Sequence, residues 1–214
     1  MVSSFISKAS IGSLMLCLFF INGFSQVYSN KESSTFSMTV GLTSSNLIND
    51  SVKYRSGILC NGGFIYSVVL SEKLNIGVEA LYTGKAFKNE SPIIKYRYFY
   101  IDVPLYLQYK LSENIRFNLG AQYSSFTNSK IVVIDQSSNS GVNIKPSSSI
   151  KNTDYGFLAG AEIDLSDNLA LTARYTISAS TFFEKDAINF GVFQLSFNYS
   201  MFRTHKQFFH RQKE

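Results

Sequence analysis

The side chains that could carry catalysis or bind a metal are sparse in this chain of 214 residues. Its two histidines, His205 and His210, lie five residues apart near the C-terminus, and Cys60 stands alone among strand-forming residues. Nucleophilic catalysis commonly pairs Ser or Cys with a nearby His, and a metal site needs several converging ligands. The sequence therefore predicts no catalytic, cofactor-binding or metal site, and a protein that is not an enzyme.

Residues suited to ion pairing lie instead in segments where apolar and polar side chains alternate. On the polar side of this alternation, positive and negative charges nearly balance. A poorly hydrated interior requires such balance, because an unpaired buried charge is strongly destabilising. We expect a polar network inside the fold with two cations at its rim: Glu79, Lys85, Asp102, Glu162, Asp164 and Arg174, then Lys110 and Arg116.

Three copies of one short signature would position these side chains. Residues 70–74, 111–115 and 165–169 read LSEKL, LSENI and LSDNL, each between two alternating segments. A connector of this size predicts a tight β-hairpin turn. The segments between the hairpins are much longer. Short turns at one end and long loops at the other are typical of a small membrane β-barrel.

Eight alternating segments extend from these turns, and each is about as long as the roughly 9–11 residues that cross a membrane at a tilt. The apolar ends of all three turn signatures fall on the apolar face. We predict an all-β fold, an eight-stranded antiparallel up-and-down transmembrane β-barrel. Loops are expected at about 45–56, 87–96, 127–152 and 182–188, and the IVVI run at 131–134 could start a hairpin above the membrane.

Alternation alone does not say which face points inward. A soluble, lipocalin-like barrel would place the apolar face inside. However, the polar face is rich in Gly, Ser, Thr, Asn and Tyr, with few of the Lys and Glu residues that coat soluble sheets. Aromatic residues also flank both ends of the apolar face, as interface girdles do. These observations favour the membrane arrangement.

The third turn predicts a register for its hairpin that places Gly160 opposite Arg174, with Glu162 one diagonal away and able to pair with the guanidinium. Glu79 lies as far from its own turn as Arg174 does, so it could join across the lumen. The resulting hypothesis is a polar plug centred on these three charges. The alternative is a set of independently satisfied interior pairs.

The second turn predicts that Gly120 opposes Tyr106, whose ring could lie flat there. Lys110 and Arg116 then face each other at the rim, where water can solvate them. Pro104 lies within the same strand, and proline lacks the N–H that a strand ladder needs. We therefore expect a β-bulge at this point.

The two ends of the chain differ from its middle. Residues 1–25 contain an apolar run behind Lys8 and small residues before position 26, as in a secretory signal peptide. Residues 26–202 form the barrel domain, with a net charge of only +1, which argues against nucleic acid. Residues 203–214 form a basic periplasmic tail, which could contact lipid or partners or be disordered.

Several segments together resemble the PorT-like family of outer-membrane β-barrels, over nearly all of the chain after the signal peptide. The resemblance implies an eight-stranded barrel with periplasmic termini. The family's namesake is associated with protein secretion, but most relatives have no assigned activity. This chain departs from the family after Phe202, where such barrels tend to stop. The matching segments are 63–74 (GFIYSVVLSEKL), 79–82 (EALY), 100–110 (YIDVPLYLQYK), 154–156 (DYG), 173–175 (ARY) and 195–199 (LSFNY).

We therefore expect a monomer in the outer membrane of a Gram-negative bacterium, with a structural or loop-mediated binding role and a plugged lumen. Its expected partners are outer-membrane lipid and other envelope proteins, which would bind through loops 45–56 and 127–152. The second candidate function is a membrane anchor within a protein secretion or envelope-assembly apparatus. No nucleic acid and no cofactor are expected.

Overall fold

The computed structural model describes residues 32–48, 55–88, 94–133, 141–142, 152–179 and 189–205. The predicted signal peptide and residues 206–214 with His210 lie outside these ranges. No helix in the described ranges is long and apolar enough to cross a membrane. The strands are β1 (Glu32–Ile48), β2 (Arg55–Val69), β3 (Leu74–Lys88), β4 (Ile94–Lys110), β5 (Ile115–Val133), β6 (Gly141–Val142), β7 (Thr153–Ser166), β8 (Leu169–Ser178) and β9 (Asn189–His205).

Eight of these strands close into a ring, and every pairing is antiparallel. The order is β1, β2, β3, β4, β5, β7, β8, β9 and back to β1, while β6 pairs with the end of β5. The predicted eight-stranded up-and-down barrel is therefore confirmed. Closure gives each barrel strand a partner on both sides, which lipid demands because it offers no hydrogen bonds to the backbone.

The barrel is apolar outside and polar inside. Val40, Leu119 and Phe157 point outward and are 63%, 70% and 70% exposed, whereas Thr83 and Asp102 in the lumen are fully buried. A water-soluble barrel would show the opposite arrangement. The structure thus confirms the predicted membrane arrangement over the lipocalin-like alternative.

The three predicted turns lie at one end of the barrel, which we call the turn end; the opposite end is the loop end. In the first two turns, the amides of Leu70 and Leu111 donate to the carbonyls of Leu74 and Ile115, both at 2.9 Å. The third turn is tighter, with Ser166 paired to Leu169 and an irregular register beside it. The predicted register is confirmed in the second hairpin from Lys110–Arg116 to Tyr100–Phe126, and in the third from Asp164–Ala170 to Gly156–Ser178.

The strands run further into the predicted loops than the sequence indicated. β4 and β5 have 17 and 19 residues, and β6 pairs with Ile131 and Val132 of β5, so the wall extends as a hairpin at the predicted place. β9 continues to His205, which pairs with Glu32. The first three residues of the predicted tail thus belong to the strand.

The bulge predicted at Pro104 is wrong. Pro104 pairs with Gln122 in a β4–β5 register that is constant from Tyr100 to Lys110. The register shift between these two strands lies further along, between Phe99 and Tyr100. On the other side of β4, the register with β3 is constant, but the pairs that would involve Val103 and Pro104 are missing. The absent proline N–H therefore interrupts one ladder without shifting either strand.

Candidate functional site

A buried ion pair crosses the lumen at mid-height. Arg174 of β8 donates to both carboxylate oxygens of Glu79 on β3, at 2.8 and 2.5 Å. The two side chains are 4% and 3% exposed. Two parallel N–H···O bonds between charged groups make this the strongest class of side-chain contact.

The ring of Tyr106 covers this pair from the β4 wall, with the Arg174 guanidinium carbon 5.0 Å from the ring centroid. The ring lies against Gly77 of β3, where a Cβ atom would come within 2.6 Å of two ring carbons. The prediction that the ring lies over Gly120 is wrong, although Gly120 does oppose Tyr106. A Cβ at Gly120 would instead meet the Cα and Cβ atoms of Tyr106.

Glu162 is the acceptor at the centre of a second network, nearer the turn end. The predicted pairing of Glu162 with Arg174 is wrong, because Glu162 lies directly opposite Arg116 across β5 and β7. These strands are joined by a long connection, so no turn signature revealed their register. The donors to Glu162 are Arg116 Nε at 3.0 Å, Gln108 at 3.1 Å, Thr172 at 2.8 Å and Asn198 at 2.8 Å.

Arg116 also pairs with Asp164 at the rim. The predicted opposition of Lys110 and Arg116 is confirmed, but only Arg116 turns into the network, since Lys110 is exposed. Glu162 and Asp164 thus share one guanidinium. Glu162 is therefore not part of the plug that was predicted around it together with Glu79 and Arg174.

The half of the lumen toward the loop end contains the remaining predicted charges. The Lys85 Nζ atom lies 3.7 Å from the Asp154 Oδ2 atom and 4.2 Å from the ring centroid of Tyr100. Asp102 is fully buried, and neither of its oxygens accepts a hydrogen bond from another described residue. Asp102 thus forms neither a hydrogen bond nor an ion pair with the residues that the structure describes.

An aromatic cluster fills the lumen above these charges. Phe87 stacks on Tyr98 with ring centroids 5.6 Å apart, and Phe190 lies 6.2 Å from Phe87. Composition alone did not predict this cluster, because aromatic residues also occupy the outer face. The alternation of β3, β4 and β9 could have indicated the cluster, because it places these residues on the polar, inward side of their strands. The cluster comprises Phe87, Tyr98, Tyr100, Phe190 and Val192.

Below the ion pair, a polar cavity of about 500 Å³ lies at the turn end. Gln108, Arg116, Glu162 and Asn198 are among its lining residues. Gln108 and Asn198 were not predicted as site residues, although both lie on the polar side of their strands. Among the described residues no group of acidic, His and Cys side chains could hold a metal.

Comparisons with known proteins agree with this architecture. The family model described as "Outer membrane protein beta-barrel domain" matches residues 14–200. Among solved structures, Ail, the attachment invasion locus protein of Yersinia pestis, is 16% identical with a TM-score of 0.51, and the match covers 80% of this chain and 100% of Ail. Neisserial surface protein A is 14% identical with a TM-score of 0.49, covering 79% and 100%.

OprG from Pseudomonas aeruginosa is 13% identical with a TM-score of 0.44, and the match covers 80% of this chain and 98% of OprG. A search of curated proteins gave no significant match. At these identities, the similarity to Ail shows a shared fold and nothing about its ligands.

Proposed function

The chain belongs to the family of outer membrane protein β-barrel domains, and on that premise we propose a non-enzymatic barrel whose lumen is closed by its own side chains. In this role the barrel is an integral part of the outer membrane, and any specific binding occurs at its loops or rim. The observation that carries the proposal is the bidentate Arg174–Glu79 pair across the lumen.

The dimensions of the barrel support closure. Eight strands leave an interior just wide enough for side chains. Here the ion pair and Tyr106 occupy the middle, and the aromatic cluster occupies the half toward the loop end. A water-filled path would have to displace both layers.

The turn end of the barrel then faces the periplasm and the loop end faces outward, as in bacterial outer-membrane barrels. Loops 45–56 and 127–152 are the proposed contact regions for other envelope proteins. Each loop connects two strands that pair with each other in the barrel wall: β1 with β2, and β5 with β7. The wall therefore fixes the positions at which both loops begin and end. We propose a monomer, because the ring of strands is closed without a second chain.

The first experiment combines membrane fractionation, heat-modifiable gel mobility and planar-bilayer conductance. We expect an outer-membrane protein with heat-modifiable mobility and no steady conductance. In Arg174→Ala, Glu79 loses its partner, and removing one member of a buried pair typically costs about 3–5 kcal/mol. The double variant Glu79→Leu/Arg174→Met should regain most of the lost free energy of unfolding, because no charge remains unpaired.

A soluble product without heat-modifiable mobility would contradict the barrel's location. A steady conductance of the wild-type protein would contradict the closed lumen. The pair would lose its proposed role if Arg174→Ala left both the free energy of unfolding and the conductance unchanged.

A membrane anchor in a secretion or envelope-assembly apparatus is the second candidate. The PorT-like segments support it, as does the polar cavity of about 500 Å³ at the turn end, where a periplasmic partner could reach Gln108 and Arg116. Crosslinking in intact cells, followed by purification of the barrel, tests this role. A stoichiometric periplasmic partner would favour the anchor, and a barrel recovered alone would favour the closed structural barrel.

A further inference from the structure

Five cations lie together on the outer wall of the barrel at its loop end. Arg55 of β2 opposes Lys88 of β3, and Lys88 also opposes Lys95 of β4. In the next row, Arg97 of β4 opposes Lys130 of β5. The alternation of β4 places Lys95 and Arg97 on the same outward face as Phe99 and Ile101.

This arrangement is unfavourable unless something else neutralises it. Like charges directly opposite each other destabilise a sheet. Lys88, Lys95, Arg97 and Lys130 form no salt bridge with any other residue that the structure describes. The buried cations of the lumen, Lys85 and Arg174, do have acidic partners. Within the described ranges, the four outer cations thus lack the acidic partners that the lumen cations have.

A groove of about 250 Å³ is lined by three of these cations, Lys88, Lys95 and Arg97. Its floor includes Phe87 and Tyr96, which stack with ring centroids 5.0 Å apart. On one side it has Ile58, which is 70% exposed. The groove thus combines positive charge with an apolar wall. Its lining residues are Ser56, Gly57, Ile58, Ala86, Phe87, Lys88, Lys95, Tyr96 and Arg97.

The groove exists because β2 and β3 part at this point. Their register breaks between Ser56 and Asn61. Across the break, β3 bonds to β1 side chains instead: Thr43 donates to the Gly84 carbonyl at 2.5 Å, and the Ser45 hydroxyl bonds both the amide and the carbonyl of Ala86. Hydrogen bonds from β1 therefore hold β3 in place beside the groove.

Its height places it at the lipid headgroups. At a tilt of about 40°, a strand gains roughly 2.5 Å of height per residue. The outward apolar run from Phe99 to Tyr109 then covers roughly 25 Å, the usual height of the apolar band. Arg97 and Lys95 lie roughly 5 and 10 Å above Phe99, within or just outside the headgroup layer.

We propose that this groove binds the phosphate of a phosphorylated glycolipid in the outer leaflet, an assignment that rests on the outer-membrane location proposed above. The Arg97 guanidinium can bind a phosphate through two parallel hydrogen bonds, and the two lysines add point charges. Ile58 then contacts the lipid's apolar chain. Binding supplies counter-charges that the described residues do not provide.

The test measures binding of bisphosphorylated lipid A to the full chain in zwitterionic micelles, with the same lipid A after enzymatic dephosphorylation as the comparison probe. The test variant is Lys88→Gln/Lys95→Gln. A matched control, Lys73→Gln/Lys110→Gln, removes two exposed cations at the turn end. Each cation near an anionic surface contributes about fivefold in affinity, so we expect about 30-fold weaker binding by the test variant and no change in the control.

A second measurement separates binding from folding. In micelles without phosphorylated lipid, the test variant should unfold at the same denaturant concentration as the wild type or a higher one, because like-charge repulsion is relieved. Added lipid A should stabilise the wild type at concentrations that leave the test variant, with its weaker binding, largely unaffected.

Equal affinity for dephosphorylated lipid A, or an equal loss in the control, would overturn the assignment. So would competition by inorganic phosphate at the concentration at which lipid A binds, since that would identify a soluble anion as the ligand. A soluble, non-heat-modifiable product would contradict the proposed location. A folded membrane barrel that binds lipid A equally well with and without its phosphates would contradict only the proposed role of the groove.

Discussion

Arg174 and Glu79 are 95 residues apart in the chain, and their side chains meet inside the barrel with two hydrogen bonds. Each would be costly alone, because both side chains are almost fully buried. Tyr106 adds a ring face above the guanidinium. The position of that ring depends on Gly77, because any side chain at Gly77 would occupy the space that the ring fills.

Gly77→Ala should therefore displace Tyr106 from Arg174. The added Cβ would lie 2.6 Å from two ring carbons, and overpacking of this kind typically costs about 1–3 kcal/mol. Urea unfolding in lipid vesicles measures the loss. Gly62→Ala is the control, because its Cβ would meet only the Thr39 carbonyl at 3.5 Å. Equal stability of the two variants would contradict the proposed role of Gly77.

At the scale of the strands, the break between β2 and β3 is the main departure from a regular barrel. Backbone groups of β3 that lose their β2 partners must be satisfied elsewhere, since lipid offers them no hydrogen bonds. Thr43 and Ser45 supply the missing bonds from β1, the strand beyond β2. The break therefore leaves a groove without leaving unpaired backbone at Ala86.

Ser45→Ala should remove both hydrogen bonds to Ala86, which are 2.8 and 2.6 Å long. An unsatisfied buried backbone group costs about 1–3 kcal/mol. We expect a loss of that size in the free energy of unfolding and faster hydrogen exchange at the Ala86 amide. Ser37→Ala is the matched control, because the Ser37 hydroxyl makes one long contact to Ser200 at 3.4 Å. A similar loss in both variants would refute the bridging role of Ser45.

At the scale of the whole molecule, the outward apolar surface is the feature that suits the barrel to a membrane. The exposed side chains of Leu105, Leu119 and Phe157 would be unfavourable in water over so large a continuous area. In a membrane, these apolar side chains contact the apolar chains of the lipids. A lipid-facing sheet must also be closed into a ring, because an open edge would leave backbone groups without hydrogen bonds in lipid.

Arginine substitutions on this surface should show a cost that depends on depth. Leu105→Arg lies near the middle of the apolar band and should cost about 2–4 kcal/mol, whereas Leu111→Arg in a tight turn should cost about 0–1 kcal/mol. The two leucines are similarly exposed, at 53% and 59%. Unfolding from lipid vesicles measures both. Equal and negligible costs would mean that this surface does not contact the membrane interior.

The sequence by itself determined the parity of the strands and the register of the hairpins that its turns join. Both are local properties, because side chains alternate with period 2 and a short turn leaves only one pairing. Gly160 therefore faces Arg174, and Gly120 faces Tyr106, as predicted. The resemblance to outer-membrane barrels added the expected location.

Only the tertiary structure decided which charges meet. Glu162 binds Arg116 and not Arg174 because β5 and β7, joined by a long connection, place Arg116 directly opposite Glu162. The groove beside Lys88 likewise depends on a register break that no turn signature encodes. Ring closure sets the stagger between strands and hence the height of each lumen residue, so contacts across the barrel cannot be read from any single hairpin.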